Sequence, residues 1–556
     1  VRNGDAIVLS DEAIRPTAAR LLASIASAFA LGAAATFAVM GLTLPSWNPP
    51  AGQGPIVPES PASARFREPS GRVVVAMVDG LGEVPARSLP HLAALRERGV
   101  FRPLRAHFPT FTSPNVVAML SGLGPRESGV RLNGSGIGKR GLDTWLAAAH
   151  EAGWAVTVHS RQFSAFEAIV GAPSGVDVVS GRLRFATDFF IDPTFTDGSL
   201  QLVHIGEVDD AGHEHGPESE AYAAAARHAD AVVGRLAAQL DPQRDILLVL
   251  SDHGHIAGGG HGGDEEAAHA AFFLAAFGPI RVGVELPVRE TRDVAPTVAT
   301  LLGTRTLRQS LGAPMVDILA TPSPTVEASV GQGFRETVAR GCTLRPSASC
   351  EQAAALEPGA SLEEASALLM RLADERDHAA SEREQRSRLW RGGLSSLGFV
   401  GTGAVVARSR LRLRVTAASC GLAAIMTGTY AGTLVAMGYR ATLSRTAGIE
   451  YFLPDASKAL VAALFVTAMA TMLLSRVAAR SRESVIEAAV FAVFAAATSL
   501  FLYVGWDANA LGENAASAVL FMGAPAILVA AITLAISAIS RLRLKLADKD
   551  PAHRVG

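Results

Sequence analysis

Apolar positions along this chain fall into two regimes. Between residues 72 and 302 short apolar runs alternate with helical spacings, whereas near both ends the runs are far longer. Arg72–Val78 is almost continuously apolar, the pattern of a strand covered on both faces. Leu202–Val208, Asp245–Leu250 and Ala271–Phe277 read the same way. Pro85–Arg98 has helical spacing with proline in its first turn, and Glu218–Leu240 predicts a longer helix. Thr291–Leu302 predicts a closing helix that ends at Gly303. Strands alternating with helices predict an α/β fold, a mostly parallel sheet with helices on both faces.

The long runs change the picture. Leu21–Leu44 and the stretches near 415–437, 459–475, 484–504 and 515–539 each approach or exceed the ~20 residues that cross ~30 Å of hydrocarbon. The mean hydropathy of +0.27 agrees with membrane segments. The first run reads as an uncleaved anchor rather than a signal peptide, because it is long and lacks a clear A-x-A site. Basic residues set the orientation. Arg15 and Arg20, the loop Arg408–Arg414, Arg476–Arg482 and the tail Arg541–Lys549 belong in the cytoplasm, while 506–514 carries only acids and belongs outside. These signs agree only if the short apolar stretch Gly392–Ala407 also crosses.

The organisation expected is therefore a cytoplasmic N-terminus (1–20), a transmembrane helix (21–45) and a Pro/Gly/Ser-rich linker (46–70). A catalytic domain (71–322) and a helical extension (323–391) follow, the latter including a charged amphipathic helix over Ser361–Trp390. A C-terminal helical transmembrane bundle of about five spans (392–545) and a cytoplasmic tail (546–556) complete it. The expected location is a bacterial inner membrane, with the catalytic domain facing the periplasm or exterior. Cys342 and Cys350 suit a disulfide there, and Cys420 lies within a predicted span as a packing residue. A formal charge of −2 argues for no nucleic-acid-binding module.

Candidate chemistry concentrates in three acids and three imidazoles, each beside glycine or another candidate ligand. They are Asp79 in VVVAMVDG, Asp209 and His213 in HIGEVDDAGHEHGP, Asp252 and His253 in LLVLSDHG, and His261 in GGGHGG. Such oxygen and nitrogen donors suit a pair of divalent cations, Zn2+ first and Mn2+ second. Two cations can hold both oxygens of an in-line phosphoryl displacement. Asp79, Asp209 and Asp252 all fall at the carboxyl ends of predicted strands, where open α/β sheets bind ligands. Asp210 lacks the four-residue spacing to His213 that Asp209 has. His215 and His255 are read as solvent-exposed or supporting groups, and His107 and His204 as packing or hydrogen-bonding residues.

These motifs resemble the alkaline phosphatase superfamily, specifically its type I phosphodiesterase and nucleotide pyrophosphatase branch, over roughly residues 72–315. The second half is similar to the catalytic domain of GPI ethanolamine phosphate transferases. FPTFTSPN resembles the branch's nucleophile motif, which makes Thr112 the expected nucleophile. SGLGPRESGVRLN places Asn133 where the family has a phosphoryl-contacting asparagine. The resemblance implies one metal on Asp209, His213 and His261, and another on Asp79, Asp252, His253 and the Thr112 oxygen. A threonine hydroxyl is a poor nucleophile until a neighbouring cation activates it. A sulfatase is disfavoured, because Thr112 stands where a sulfatase motif has the cysteine or serine that becomes formylglycine, and the motif's arginine is absent. The expected reaction is phosphodiester hydrolysis through a phosphothreonine. The alternative is transfer of a phosphoethanolamine-type head group to a membrane lipid or glycan, since the substrate could be lipid-linked. A third possibility is a degenerate domain on a transport protein. It has little support, because only Glu487, near one end, places an acid in a C-terminal span.

Overall fold

The computed structural model describes residues 70–131, 133, 141–160, 169–170, 177–180, 196–321, 324–344, 348–354, most of 364–378 and scattered positions from 425 to 470. The predicted spans 21–44, 484–504 and 515–539 lie outside these residues, and 415–437 and 459–475 are described only at scattered positions. Among the described residues no helix is long and apolar enough to cross a membrane. The chain divides into two compact units. One comprises 1–44, 385–440 and 452–556, and its described positions include the exposed side chains of Val461 and Phe465. The other comprises 45–384 together with 441–451 and holds every strand described below.

That second unit is built on a nine-stranded sheet. In chain order the strands are β1 (Arg72–Val78), β2 (Gly99–Arg105), β3 (Ala155–Ser160), β4 (Asp177–Ser180), β5 (Ser199–Ile205), β6 (Ile246–Leu250), β7 (Ala270–Ala276), β8 (Val284–Glu285) and β9 (Arg289–Glu290). Their spatial order is β4-β3-β5-β1-β6-β7-β2-β8, with β9 also on β2. Pairing is parallel from β4 through β6; β7 runs antiparallel to both β6 and β2. The sheet is thus mixed, mostly parallel, as the alternation of elements predicts.

β1 is central and buried on both faces. Val73, Val75 and Met77 join one apolar cluster with the helices Thr112–Ser121, Trp145–Glu151 and Val294–Leu302. Val74, Ala76 and Val78 join another with Pro90–Glu97 and Glu220–Ala238. Each buried valine contributes about 1.5–3 kcal/mol, so β1 is a rigid platform for whatever follows it.

Two expectations are corrected. The helix expected over Pro85–Arg98 is two helices, Glu83–Ala86 and Pro90–Glu97. Pro90 has no N–H and disfavours helical backbone at Leu89, which is extended (φ −76°, ψ 129°). The strand expected over Leu202–Val208 ends at Ile205, and Glu207–His215 is a helix. Asp209 therefore sits in a helical first turn rather than on a strand end. Cys342 and Cys350 are disulfide-bonded, with Cα atoms 5.7 Å apart, and link the helices Pro324–Leu344 and Ala348–Ala354.

Candidate metal centre

Strand register assembles half of the site. Met77 pairs with Leu250 and Val78 with Ile205. Continuing one residue past β1 and two past β6 brings Asp79 beside Asp252 at the carboxyl edge of the sheet. From the other neighbour, β5, the chain turns at Gly206 into the helix Glu207–His215, whose i,i+4 spacing puts Asp209 and His213 on one face. His253 and His261 come from the loop after β6.

The ligand atoms converge. His253 Nε2 lies 3.3 Å from Asp79 Oδ1, 3.4 Å from Asp252 Oδ2 and 3.2 Å from Thr112 Oγ1. His261 Nε2 lies 3.4 Å from Asp209 Oδ1, and His213 Nε2 lies 3.6 Å from Asp209 Oδ2. The His213 and His261 Nε2 atoms are 2.9 Å apart, where one must carry a proton or both must face a common cation. Three overlapping groups could each hold a metal ion: Asp79, Asp252 and His253; Asp209, His213 and His261; and Asp209, His253 and His255.

The donors are prepared for this. His261 Nδ1–H donates to Thr110 O at 2.8 Å, and His253 Nδ1–H donates to Gly254 O at 3.3 Å. Each bond leaves the Nε2 lone pair turned into the site. Asp79 Oδ1, Asp252 Oδ2 and Asp209 Oδ1 are buried with no hydrogen-bond donor. Orphaned carboxylate oxygens facing imidazole lone pairs are costly unless a cation stands between them.

The electrostatics say the same. Burial, then the charge of Asp79, pushes Asp252 well above the usual carboxylate range. Burial works against a proton on His253, yet Asp252 and Asp79 push it up to about 10. Burial and the charge of Asp209 would raise Asp79, but the neighbouring imidazoles of His204 and His253 hold it below its ordinary value. Asp209 would also rise with burial, but His213, His261 and His255 hold it well below. Burial, reinforced by His253, keeps His261 far below its ordinary value and so neutral, as a ligand must be. Without a cation the pocket has to draw protons onto Asp252 and His253 to offset its carboxylates, and the donor set fits borderline divalent cations.

Thr112 is the first residue of the helix Thr112–Ser121, with its hydroxyl facing His253. The loop before it is clamped by Asn115, whose Nδ2 donates to His107 O, Pro109 O and Phe111 O, and whose Oδ1 accepts from His107 N. Asn133 is exposed, and its Oδ1 accepts from Ser113 N–H at 3.0 Å.

Several contributors are not marked by the motifs. His255, grouped above with exposed or supporting histidines, is buried, with Nε2 3.0 Å from Asp209 Oδ1. It fits because two glycines make room. A Cβ at Gly80 would lie 2.8 Å from the His255 ring, and one at Gly212 would lie 2.4 Å from it. His215, by contrast, is half exposed, and Asp210 is exposed. His204 Nε2–H donates to Asp79 Oδ2 at 3.0 Å, while Ser160 Oγ lies 3.2 Å from its Nδ1. Tyr222 hydroxyl donates to Gly80 O and accepts from Gly82 N–H, pinning the turn after Asp79. Thr110 Oγ1 accepts from Gly262 N–H and donates to Gly263 O, holding the His261 loop from one side. From the other side Ser444 Oγ accepts from Gly263 N–H at 2.8 Å and donates to Glu265 Oε2 at 2.7 Å.

The type I phosphodiesterase / nucleotide pyrophosphatase family matches residues 73–136 and 148–264. GPI ethanolamine phosphate transferase 3, catalytic subunit, of Homo sapiens is 32% identical over 136 residues, covering 23% of this chain and 12% of that protein. GPI ethanolamine phosphate transferase 2 of Aspergillus fumigatus is 28% identical over 255 residues, covering 39% of this chain and 33% of that protein. The matches thus span between 12% and 33% of these relatives' length. Among solved structures, murine ectonucleotide pyrophosphatase / phosphodiesterase 5 aligns with a TM-score of 0.37 at 15% identity, covering 45% of this chain and 100% of that one. Residues 73–136 and 148–264, which hold most of the candidate ligands and Thr112, therefore form a phosphodiesterase/pyrophosphatase-like domain similar to the type I phosphodiesterase / nucleotide pyrophosphatase family and to the GPI ethanolamine phosphate transferases.

Proposed function

We propose that this chain is a membrane-anchored, two-metal phosphodiesterase acting outside the cytoplasm through a phosphothreonine on Thr112. One observation carries the reading: the Thr112 hydroxyl stands 3.2 Å from His253 Nε2, which itself lies within 3.4 Å of Asp79 and Asp252. Asp79, Asp252, His253 and the Thr112 oxygen would hold one Zn2+ or Mn2+, and Asp209, His213 and His261 the other. Such cations lower the pKa of a hydroxyl beside them and offset charge on a leaving oxygen.

The chain's own groups do the rest. The Thr112 hydroxyl gives up its proton to solvent, and its Oγ forms a bond to phosphorus as the bond to the leaving oxygen breaks; the electron pair stays on that oxygen, which takes a proton from solvent and leaves as the alcohol. The helix Thr112–Ser121 directs its positive N-terminal end at the phosphoryl group. The amide nitrogen of Asn133 donates to a phosphoryl oxygen as charge develops there. Water then attacks phosphorus, the Thr112–phosphorus bond breaks, and the hydroxyl is restored.

A second reading replaces water with an alcohol, giving transfer of a phosphoethanolamine-type head group. The names of the curated relatives favour it. So does Ser444, which lies between two predicted spans yet belongs to the catalytic unit and bonds the His261 loop. A substrate lipid-linked at the membrane fits both readings.

The test uses the full chain in detergent, assayed on chromogenic mono- and diesters with and without chelator. Thr112→Ala is expected to keep its metal and lose turnover, and the native chain to yield a phosphothreonine peptide on acid quench. Full activity in metal-replete Thr112→Ala would end the proposal, and a preference for monoesters would change it to a phosphatase.

A further inference from the structure

The helix Pro324–Leu344 packs on the helix Val294–Leu302 and the loop after it, enclosing a cavity of about 30 Å³. Thr300, Thr304, Ser310, Thr337 and Arg340 are among its walls. Arg340 is 3% exposed. Its Nε donates to Ser310 O and its Nη2 to Thr337 Oγ1, both at 3.1 Å. Its Nη1 is buried with no hydrogen-bond partner among the described residues. The two carboxylates that act on it are engaged elsewhere, Glu336 by Thr306 and Gln332, and Asp143 by Arg305.

A guanidinium taken out of water without a counter-charge costs several kcal/mol. Burial pushes Arg340 down, to about 10, so it is still charged at neutral pH. Glu336 and Asp143 offset part of that charge without bonding it, and Nη1 is left for a partner in the cavity. Thr337 accepts from Arg340 through its oxygen, which leaves its own O–H able to donate.

We propose that this cavity binds a halide-sized monoanion, held by Arg340 Nη1 and the Thr337 hydroxyl. One water needs about 10–15 Å³ of such space, so a cavity of about 30 Å³ has room for an ion of halide size. Pro296, Thr300 and Gly333 on its wall are only half-buried, so the ion can exchange with solvent. The anion would lock the extension to the core. Arg340 holds Ser310, and the next residue, Leu311, donates its N–H to Gly122 O at the end of the Thr112–Ser121 helix.

The experiment measures the thermal midpoint of the full chain in detergent, titrating chloride or bromide against gluconate at constant ionic strength. The native chain is expected to show a saturable rise with halide. Arg340→Met is expected to lose the response. Thr337→Val is expected to raise the half-saturating halide concentration about tenfold, the worth of one charge-assisted hydrogen bond. Equal midpoints in halide and gluconate would overturn the site, as would a halide response that survives in Arg340→Met. If Arg340→Met does not fold, Thr337→Val decides, and an unchanged half-saturation in that variant overturns the site. None of these outcomes depends on turnover at Thr112.

Discussion

His204→Ala should weaken the metal centre without touching a ligand. Asp79 is buried, and its carboxylate is held by two imidazoles: Oδ2 accepts from His204 Nε2–H at 3.0 Å, and Oδ1 faces His253 at 3.3 Å. Removing His204 leaves Oδ2 without a donor, at a cost of about 1–3 kcal/mol. It also frees the carboxylate to turn away from Asp252 and His253. Loss of such an outer partner lowers metal affinity about 10–100-fold, or about 1.4–2.7 kcal/mol. The pH dependence moves in a definite direction. The His204 hydrogen bond helps to hold Asp79 low, so without it Asp79 holds a proton more tightly against the metal. Half-occupancy should therefore shift to higher pH. The assay is zinc release to a chromophoric chelator from the full chain across a pH series, with circular dichroism to confirm folding. His204→Gln, which can still donate to Asp79, should recover most of the affinity. Native affinity in a folded His204→Ala chain, or an unshifted pH profile, would refute the reasoning.

Two further outcomes follow from the same geometry. Ser444→Ala should remove the acceptor for Gly263 N–H and loosen the His261 loop. On the two-metal proposal, at limiting zinc the chain should then hold about one ion where two are expected of the native chain, with the Asp79 side retained; equal release from both sides would contradict this. Asp245→Asn should destabilise the domain by about 2–3 kcal/mol, because Asp245 accepts from Arg72 Nε, Nη2 and N and from Asp241 N. Burial alone would raise the Asp245 carboxyl, but these donors hold it below 3.8 in the folded chain. Its contribution is therefore fully present above 3.8 and is lost as pH falls through the lower folded value. Thermal midpoints between pH 6 and pH 3 (roughly the span over which a carboxyl titrates) should converge for the two chains at the acid end.

Much of the centre was legible because it is written locally. A buried parallel strand must be continuously apolar, so β1 and β6 declare themselves, and Asp79 and Asp252 follow from where they end. The four-residue spacing of Asp209 and His213 is likewise a helical property that no distant contact has to supply. Local pattern is weaker at boundaries. Pro90 split one expected helix, and Asp209 proved helical because Gly206 turns the chain directly after β5.

The sequence by itself determined the donor types, their order and the apolar strands that carry them, because periodicity and side-chain chemistry are properties of short segments. Tertiary structure decided which neutral-looking groups complete the centre. His255 enters only because Gly80 and Gly212, 132 positions apart in the chain, leave the space its ring fills. His204 matters because β5 lies beside β1 and points it at Asp79. Ser444 reaches the His261 loop across 181 residues of chain. Such contacts depend on strand order and packing, which no residue pattern encodes on its own.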